Sequence, residues 1–194
     1  MGLAIKDNHS HNYGEYLTWP DNPRYEIIDG FAYAMSPAPA RVHQRLVGEL
    51  YRQIADALED SHCEVNIAPF DVRLPASDTQ QDDEITDIVQ PDIVIVCDPD
   101  KLDEQGCRGA PDWVIEVLSP RTASHDQIHK LALYEKHGVQ EYWLAHPTDR
   151  IITIYRLEDG NYGKPAIYEM RGTLPASCCD SVEILWDKII EQIE

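Results

Sequence analysis

Apolar and polar positions along this chain fall into two kinds of period. Ile93-Val94-Ile95-Val96 and Trp113-Val114-Ile115-Glu116-Val117-Leu118 are short, β-branched runs with turn formers on each side, which predicts buried strands. Upstream, His43, Leu46, Val47, Leu50, Ile54 and Leu58 recur at three- and four-residue steps, which predicts an amphipathic helix over Val42–Glu59. Glu64–Leu74 reads as a further strand. Ser124-His125-Asp126-Gln127 fits a capping box with Ser124 as N-cap, opening a helix that runs to His137 and stops at Gly138, a natural left-handed C-cap. Within that helix Asp126, Lys130 and Tyr134 fall on one stripe. Glu141–Ala145 reads as another strand. The order of the core is therefore α-β-β-β-α-β.

Shorter signals fill in the ends. Tyr25–Met35 predicts a hairpin turning at Asp29-Gly30, and Ile151–Arg156 with Ala166–Met170 predicts a second one around Asp159-Gly160. A helix is expected at Asp187–Ile193. Residues 1–20 read as a poorly ordered start and a short helix near Tyr13–Thr18. Trp143 and Trp186 read as core residues. No repeat, low-complexity tract or linker interrupts the chain, so residues 1–194 read as a single domain in which 1–20 form an N-terminal extension.

Each buried strand carries one acid, Asp92 at the head of the first and Glu116 inside the second. A buried carboxylate is costly unless it is paired, hydrogen-bonded or bound to a metal. Two of them on strands of one sheet make an oxygen-rich site of the kind that Mg²⁺ or Mn²⁺ prefers. The plainer alternative is two acids at strand ends that face solvent or an arginine.

Several ordered segments bear on that choice. They are Tyr25-Glu26-Ile27-Ile28-Asp29-Gly30, Met35-Ser36-Pro37, His43, Pro69-Phe70-Asp71-Val72-Arg73-Leu74, Gln90-Pro91-Asp92, Gly106–Asp112, Val114–Pro120, Asp126, Lys130, Tyr134 and Gly138–Trp143. In this order, over roughly residues 25–160, the chain resembles the Uma2-type endonucleases of the PD-(D/E)XK, restriction-endonuclease-like superfamily. The resemblance implies an α/β (α+β) fold: a restriction-endonuclease-like core with a mixed central sheet, an N-terminal β-hairpin, and a C-terminal hairpin and helix. It also implies a metal-dependent endonuclease acting on nucleic acid, DNA first. Asp92 then matches the acid of the Pro-Asp motif and Glu116 the acid of the (D/E)-x-K motif. Leu118 stands where the superfamily pattern has lysine. Strand alternation puts Leu118 on the same face as Glu116, so an apolar side chain fills the usual lysine position. The family pattern moves the lysine to the next helix, here Lys130; the alternative for Lys130 is a solvated helix residue.

Phosphodiester hydrolysis calls for these residue types. A divalent ion polarises the phosphoryl oxygen and acidifies the attacking water. Asp92, Glu116 and the Val117 carbonyl are candidate ligands, and Lys130 is the candidate cation for the developing negative charge. Glu26, preferred over Glu49, is a candidate for a further acid. His43 either projects toward the acids or is a structural histidine bonded to backbone. Asp71 is a secondary candidate that also fits a purely positional role.

Composition then limits these readings. The chain has 35 acidic and 16 basic residues in 194, a formal charge of −19. Such acidity repels a polyanion at long range, whereas nucleic-acid binders usually carry a basic footprint. Part of it is local to Asp78–Asp87, which reads as a mobile, solvated loop. Arg41, Arg45, Arg52, Arg121 and Lys130 are the candidates for a basic patch. The charge thus favours the competing function class, a non-catalytic nuclease-fold protein used in interaction or assembly. No long apolar run or signal pattern is present, which points to a cytoplasmic protein without membrane contact. A homodimer is compatible with the sequence. The five cysteines show no metal-type spacing and read as buried, reduced thiols.

Overall fold

Alternate residues of the two apolar runs turn to opposite sides of one sheet, and helices cover both sides. The computed structural model describes residues 9–20, 22–35, 39–120, 122–179 and 181–193. In chain order its helices are α1 (Tyr13–Tyr16), α2 (Arg41–Ala57), α3 (Leu131–His137) and α4 (Trp186–Ile193). Its strands begin with β1 (Tyr25–Ile28), β2 (Phe31–Ala34), β3 (Glu64–Ile67), β4 (Val72–Arg73), β5 (Ile88–Val89) and β6 (Ile93–Val96). They continue with β7 (Leu102–Asp103), β8 (Gly106–Arg108), β9 (Trp113–Val117), β10 (Glu141–His146) and β11 (Ile151–Glu158). The last are β12 (Asn161–Tyr162), β13 (Ala166–Glu169), β14 (Thr173–Pro175) and β15 (Glu183–Leu185).

The central sheet runs β12-β11-β10-β9-β6-β3, with β13 also paired to β11. It is mixed: β9 and β10 are parallel, while β6 is antiparallel to both β9 and β3. Ile93, Ile95, Trp113, Ile115, Val117 and Trp143 pack with Leu46, Leu50 and Ile54 of α2 and Trp186 and Ile189 of α4. Val94, Val96, Val114, Leu118, Tyr142 and Leu144 face the other way, onto Leu133 and Tyr134 of α3. This is the expected α+β class with the α-β-β-β-α-β core, and both hairpins and the closing helix are present. Trp143 and Trp186 are fully buried, as expected.

A second sheet, β2-β1-β5-β4-β8-β7, interrupts the core order. It explains one correction. Glu64–Leu74 is two strands in two sheets: β3 pairs with β6, and β4 pairs with β5 and β8. Pro69 lies between them and has no N–H to continue a ladder. Gly106 allows β8 to pass close to the chain at Asp71, because a Cβ there would sit 2.2 Å from the Asp71 carbonyl oxygen at φ +125°.

The second helix also starts differently from its prediction. Ser124 has helical dihedrals (φ −71°, ψ −34°) and its side chain makes no cap bond, so the capping box does not form. The chain already turns at Ser119, whose Oγ accepts from Thr122 N–H at 3.3 Å, and it continues as a π-helical turn over His125–Lys130 before α3. Gly138 closes α3 at φ 85°, as expected.

Two further readings change. Asp78–Asp87 is tied down: Asp82 pairs with Arg73 and Arg108, and buried Asp87 binds Lys136 and His137. Cys63 and Cys97 form a disulfide, which Cys107, Cys178 and Cys179 do not join. At the N-terminus, His9 and His11 bind Glu15 at the start of the predicted short helix, and residues 1–8 lie outside the described residues. Among the described residues no helix is long and apolar enough to cross a membrane.

Candidate active site

The register of β6 against β9 sets the site. Ile93 lies opposite Ile115 in an antiparallel pair, so one step outward Asp92 lies opposite Glu116. Directly opposed residues share a face, here the side covered by the π-helical turn and α3. The Asp92 N–H reaches Glu116 Oε2 at 3.4 Å, and the Val117 N–H donates to Asp92 Oδ2 at 2.8 Å. The two carboxylates, with Glu26, His43, Val117, His125, Asp126 and Lys130, line one cavity of about 90 Å³.

Lys130 enters this cavity from above. Its Nζ lies 2.7 Å from Glu116 Oε1, 2.8 Å from Glu26 Oε1 and 3.8 Å from Asp126 Oδ1. The Tyr134 hydroxyl also donates to Glu116 Oε1, at 3.3 Å. Asp126, Lys130 and Tyr134 therefore act from one stripe, as their spacing predicts. Glu26 comes from β1 of the second sheet; it accepts from the Gln90 N–H at 2.9 Å and meets His125 Nε2 at 3.1 Å.

The site holds more acid than base. Burial raises the Glu116 carboxyl far above the carboxylate range; Lys130 opposes this, while Asp126, Asp92 and Glu26 add to it. Burial likewise raises Asp126 against the pull of Lys130. Burial works against the charge of Glu26 as well, but Lys130 and His125 together bring its carboxyl down to about 2. One ammonium cannot satisfy three buried acids. Glu26, which has His125 and a backbone N–H besides, takes the larger share of it. Lys130 itself is raised well above its ordinary value: burial disfavours its charge, but Glu116, Glu26 and Asp126 outweigh that.

His43 stands at the start of α2 with Nε2 3.1 Å from Asp92 Oδ2. Burial lowers its basicity, yet the Asp92 hydrogen bond and charge give a net rise. Its buried Nδ1 has no hydrogen-bond partner among the described residues. Both readings of this histidine find support: it contacts Asp92, and a backbone hydrogen bond to Val117 adds to its rise.

The geometry also excludes candidates. Glu49 binds Arg52 and does not line the cavity. Asp71 lies beyond Gln90: its Oδ1 accepts from Gln90 Nε2 at 2.8 Å and from the Tyr16 hydroxyl at 3.2 Å. Lys130 is 4% exposed at the side chain, so it is neither a solvated residue nor part of a surface patch. Arg45 is spent on Gln192 and Arg52 on Glu49 and Asp56, so the predicted basic patch does not assemble from them; Arg121 lies outside the described residues, as do Ser36 and Pro37. Sequence reasoning missed His125, which reaches Glu26 from the helix start, and the part played by Asp126. For Asp126 the signal was the stripe it shares with Lys130.

The donor set suits a hard divalent cation. Asp92 Oδ1 carries no hydrogen bond among the described residues, and Glu116 Oε2 receives only the long one from Asp92. Those two oxygens and the Val117 carbonyl are hard oxygen donors of the kind that Mg²⁺ or Mn²⁺ prefers.

Comparison with known proteins gives three results. The Uma2 profile, described as "Putative restriction endonuclease", matches residues 13–183. An uncharacterized protein, slr1290, of Synechocystis sp. is 29% identical over 148 residues, covering 75% of this chain and 73% of the relative. The crystal structure of "a putative nuclease belonging to DUF820" from Anabaena variabilis superposes with a TM-score of 0.73 at 20% identity, covering 93% of this chain and 97% of the other. At that identity the likeness shows the fold.

Proposed function

The chain belongs to the Uma2 family, and we propose on that footing that it is a metal-dependent endonuclease hydrolysing phosphodiester bonds of DNA at the Asp92–Glu116 cavity. The observation that carries this reading is the meeting of two strand acids and a buried lysine over one small cavity. Asp92, Glu116 and the Val117 carbonyl would hold Mg²⁺ or Mn²⁺. When bound, the ion would polarise the phosphoryl oxygen and acidify a water molecule.

The chain's own residues prepare for this. Lys130 and Tyr134 fix Glu116 through Oε1 and leave Oε2 turned elsewhere. His43 and the Val117 N–H fix Asp92 through Oδ2 and leave Oδ1. Lys130 is saturated by carboxylates, so it acts through the acids, orienting Glu116 and opposing the burial that raises its carboxyl. His43 and His125, 13% and 17% exposed at the side chain, are the more open basic side chains of the cavity and would meet an incoming phosphate.

The test is cleavage of single- and double-stranded DNA with Mg²⁺ or Mn²⁺, with Asp92→Asn and Glu116→Gln as controls. Metal-dependent cleavage lost in both variants supports the proposal. Cleavage that persists in Asp92→Asn, or a folded parent inert on both substrates with either metal, overturns it. The second reading, a non-catalytic protein used in interaction, draws on the charge of −19 and on the arginines engaged away from the cavity.

A further inference from the structure

On the α2 side of the central sheet, the face opposite the acid cavity, the fold brings four of the five cysteines to one place. The β3–β6 ladder pairs Glu64 with Val96, so the next step outward sets Cys63 opposite Cys97, and the two are disulfide-bonded. The segment after β14 lies over them. Cys179 Sγ is 4.0 Å from Cys97 Sγ, and Cys178 Sγ is 3.7 Å from Cys179 Sγ. His62 adds an imidazole: one ring nitrogen and the sulfurs of Cys63 and Cys97 all lie within 4.8 Å of one another. This arrangement is anchored. The buried carboxylate of Glu141 accepts the N–H groups of Ser177 and Cys178 at 2.8 and 3.0 Å, which holds the cysteine pair against the sheet.

These spacings match a soft-metal site. Tetrahedral zinc with Zn–S bonds of about 2.3 Å sets its sulfurs about 3.8 Å apart. The Cys97–Cys179 separation of 4.0 Å falls beside that value, the His62, Cys63 and Cys97 donor atoms already lie within 4.8 Å of one another, and a shift of the Cys179 segment would complete three thiolates with one imidazole, a common structural zinc set. The sequence hides the site because Cys63, Cys97 and Cys179 come from three distant segments, without the short spacing of a zinc motif.

We propose that the reduced chain binds one zinc ion through Cys63, Cys97, Cys179 and His62, and that disulfide and metal are alternative occupants of this position. A thiol or phosphine reductant supplies two electrons, and two protons from solvent complete the opening of the Cys63–Cys97 bond into two thiols. Zinc then replaces the protons of three thiols and takes the lone pair of His62. The ion would join the β3–β6 edge of the central sheet to the C-terminal segment.

The experiment uses the full-length chain, reduced with a phosphine, freed of metal by chelation, and titrated with Co²⁺. One equivalent is expected to give thiolate-to-cobalt charge-transfer absorption and tetrahedral visible bands, both displaced by Zn²⁺. Cys97→Ser and Cys179→Ser should each lose the charge-transfer band. Cys107→Ser should keep it, because that thiol is buried in the other core. Asp92→Asn should also keep it, which separates this site from the acid cavity. A reduced parent with no charge-transfer band overturns the proposal whatever the variants do. So does a band that survives Cys97→Ser at full intensity. Melting of each variant in chelator reports its folding separately.

Discussion

Replacing Lys130 with Met tests whether one buried ammonium holds the acid cavity together. Lys130 is 4% exposed, with Nζ 2.7 Å from Glu116 and 2.8 Å from Glu26. Methionine fills a similar volume but leaves those acids without their shared cation. Breaking a buried pair by removing one partner costs about 3–5 kcal/mol. At about 2–4 °C per kcal/mol for a chain of this size, the melting temperature at pH 7 should fall by about 6–20 °C. The pH dependence makes the test sharper. Burial opposes the charge of Glu26, but Lys130 and His125 hold its carboxyl down to about 2. A carboxyl lowered on folding stabilises above its unfolded value of about 4.3 and loses that stabilisation as the pH falls toward the folded value. The gap between parent and Lys130→Met should therefore be widest near neutrality and shrink between about pH 4.3 and pH 2, as the acids protonate in both proteins. Adding Glu116→Gln to Lys130→Met should recover part of the loss, since it removes one of the stranded acids. Thermal unfolding in chelator across this pH range is the assay. A loss below about 1 kcal/mol at pH 7, or a gap unchanged at pH 3, would refute the electrostatic account.

Three more expectations follow from the same geometry. Mg²⁺ or Mn²⁺ should raise the melting temperature of the parent more than that of Asp92→Asn or Glu116→Gln, because only binding to the native state stabilises it; equal shifts in all three count against a metal site at these residues. Arg73, with no exposed side-chain surface, bonds the half-exposed Asp82 and Asp103 at 2.6 Å each, so Arg73→Met should lose about 1.5–3 kcal/mol in chemical denaturation even though the residue is remote from the acid cavity. Burial opposes the charge of Asp87, but His137, the Asp29 N–H and Lys136 lower its carboxyl; Asp87→Asn should cost about 1.5–3 kcal/mol at pH 7, and the cost should fade below about pH 3.9 as the parent's own carboxyl protonates.

How much of this was legible in the sequence depends on the range of the interaction that decides each feature. The strands at Ile93–Val96 and Trp113–Val117 were readable because burial on both faces leaves an unbroken β-branched run. The stripe of Asp126, Lys130 and Tyr134 was readable because helical spacing is local. The register that sets Asp92 against Glu116 was implied only by strand pairing, which the resemblance supplied. Ser124 failed as a cap because Ser119 and Thr122 had already turned the chain, a choice among several hydroxyls that spacing cannot resolve. Asp82 read as solvated because its partner Arg73 belongs to a strand nine residues upstream and in another layer. The cysteine cluster was invisible for the same reason: only the β3–β6 ladder and the turn after β14 bring residues 63, 97 and 179 together.

The remaining tension is between the charge of −19 and a polyanionic substrate, and the cavity suggests how it resolves. Lys130 is enclosed by carboxylates, Arg73 and Arg108 are bound by Asp82 and Asp103, and Arg52 is held by its own helix. Among the described residues around the cavity, few cations are left to replace counterions on a phosphate backbone. On the proposed reading, attraction comes largely through divalent ions held by the acids, and the dependence on monovalent salt should be shallow. With one or two direct phosphate contacts, DNA affinity should fall only about 3–12-fold between 50 and 200 mM salt, against about 10³–10⁵ for a protein with a basic footprint. Fluorescence anisotropy with labelled DNA and Ca²⁺, an ion chosen to hold the complex while slowing cleavage, measures this. Chelation should abolish binding at every salt concentration. A steep salt slope, or binding that persists in chelator, would show that a basic surface elsewhere on the chain holds the nucleic acid and that the acid cavity does not recruit it.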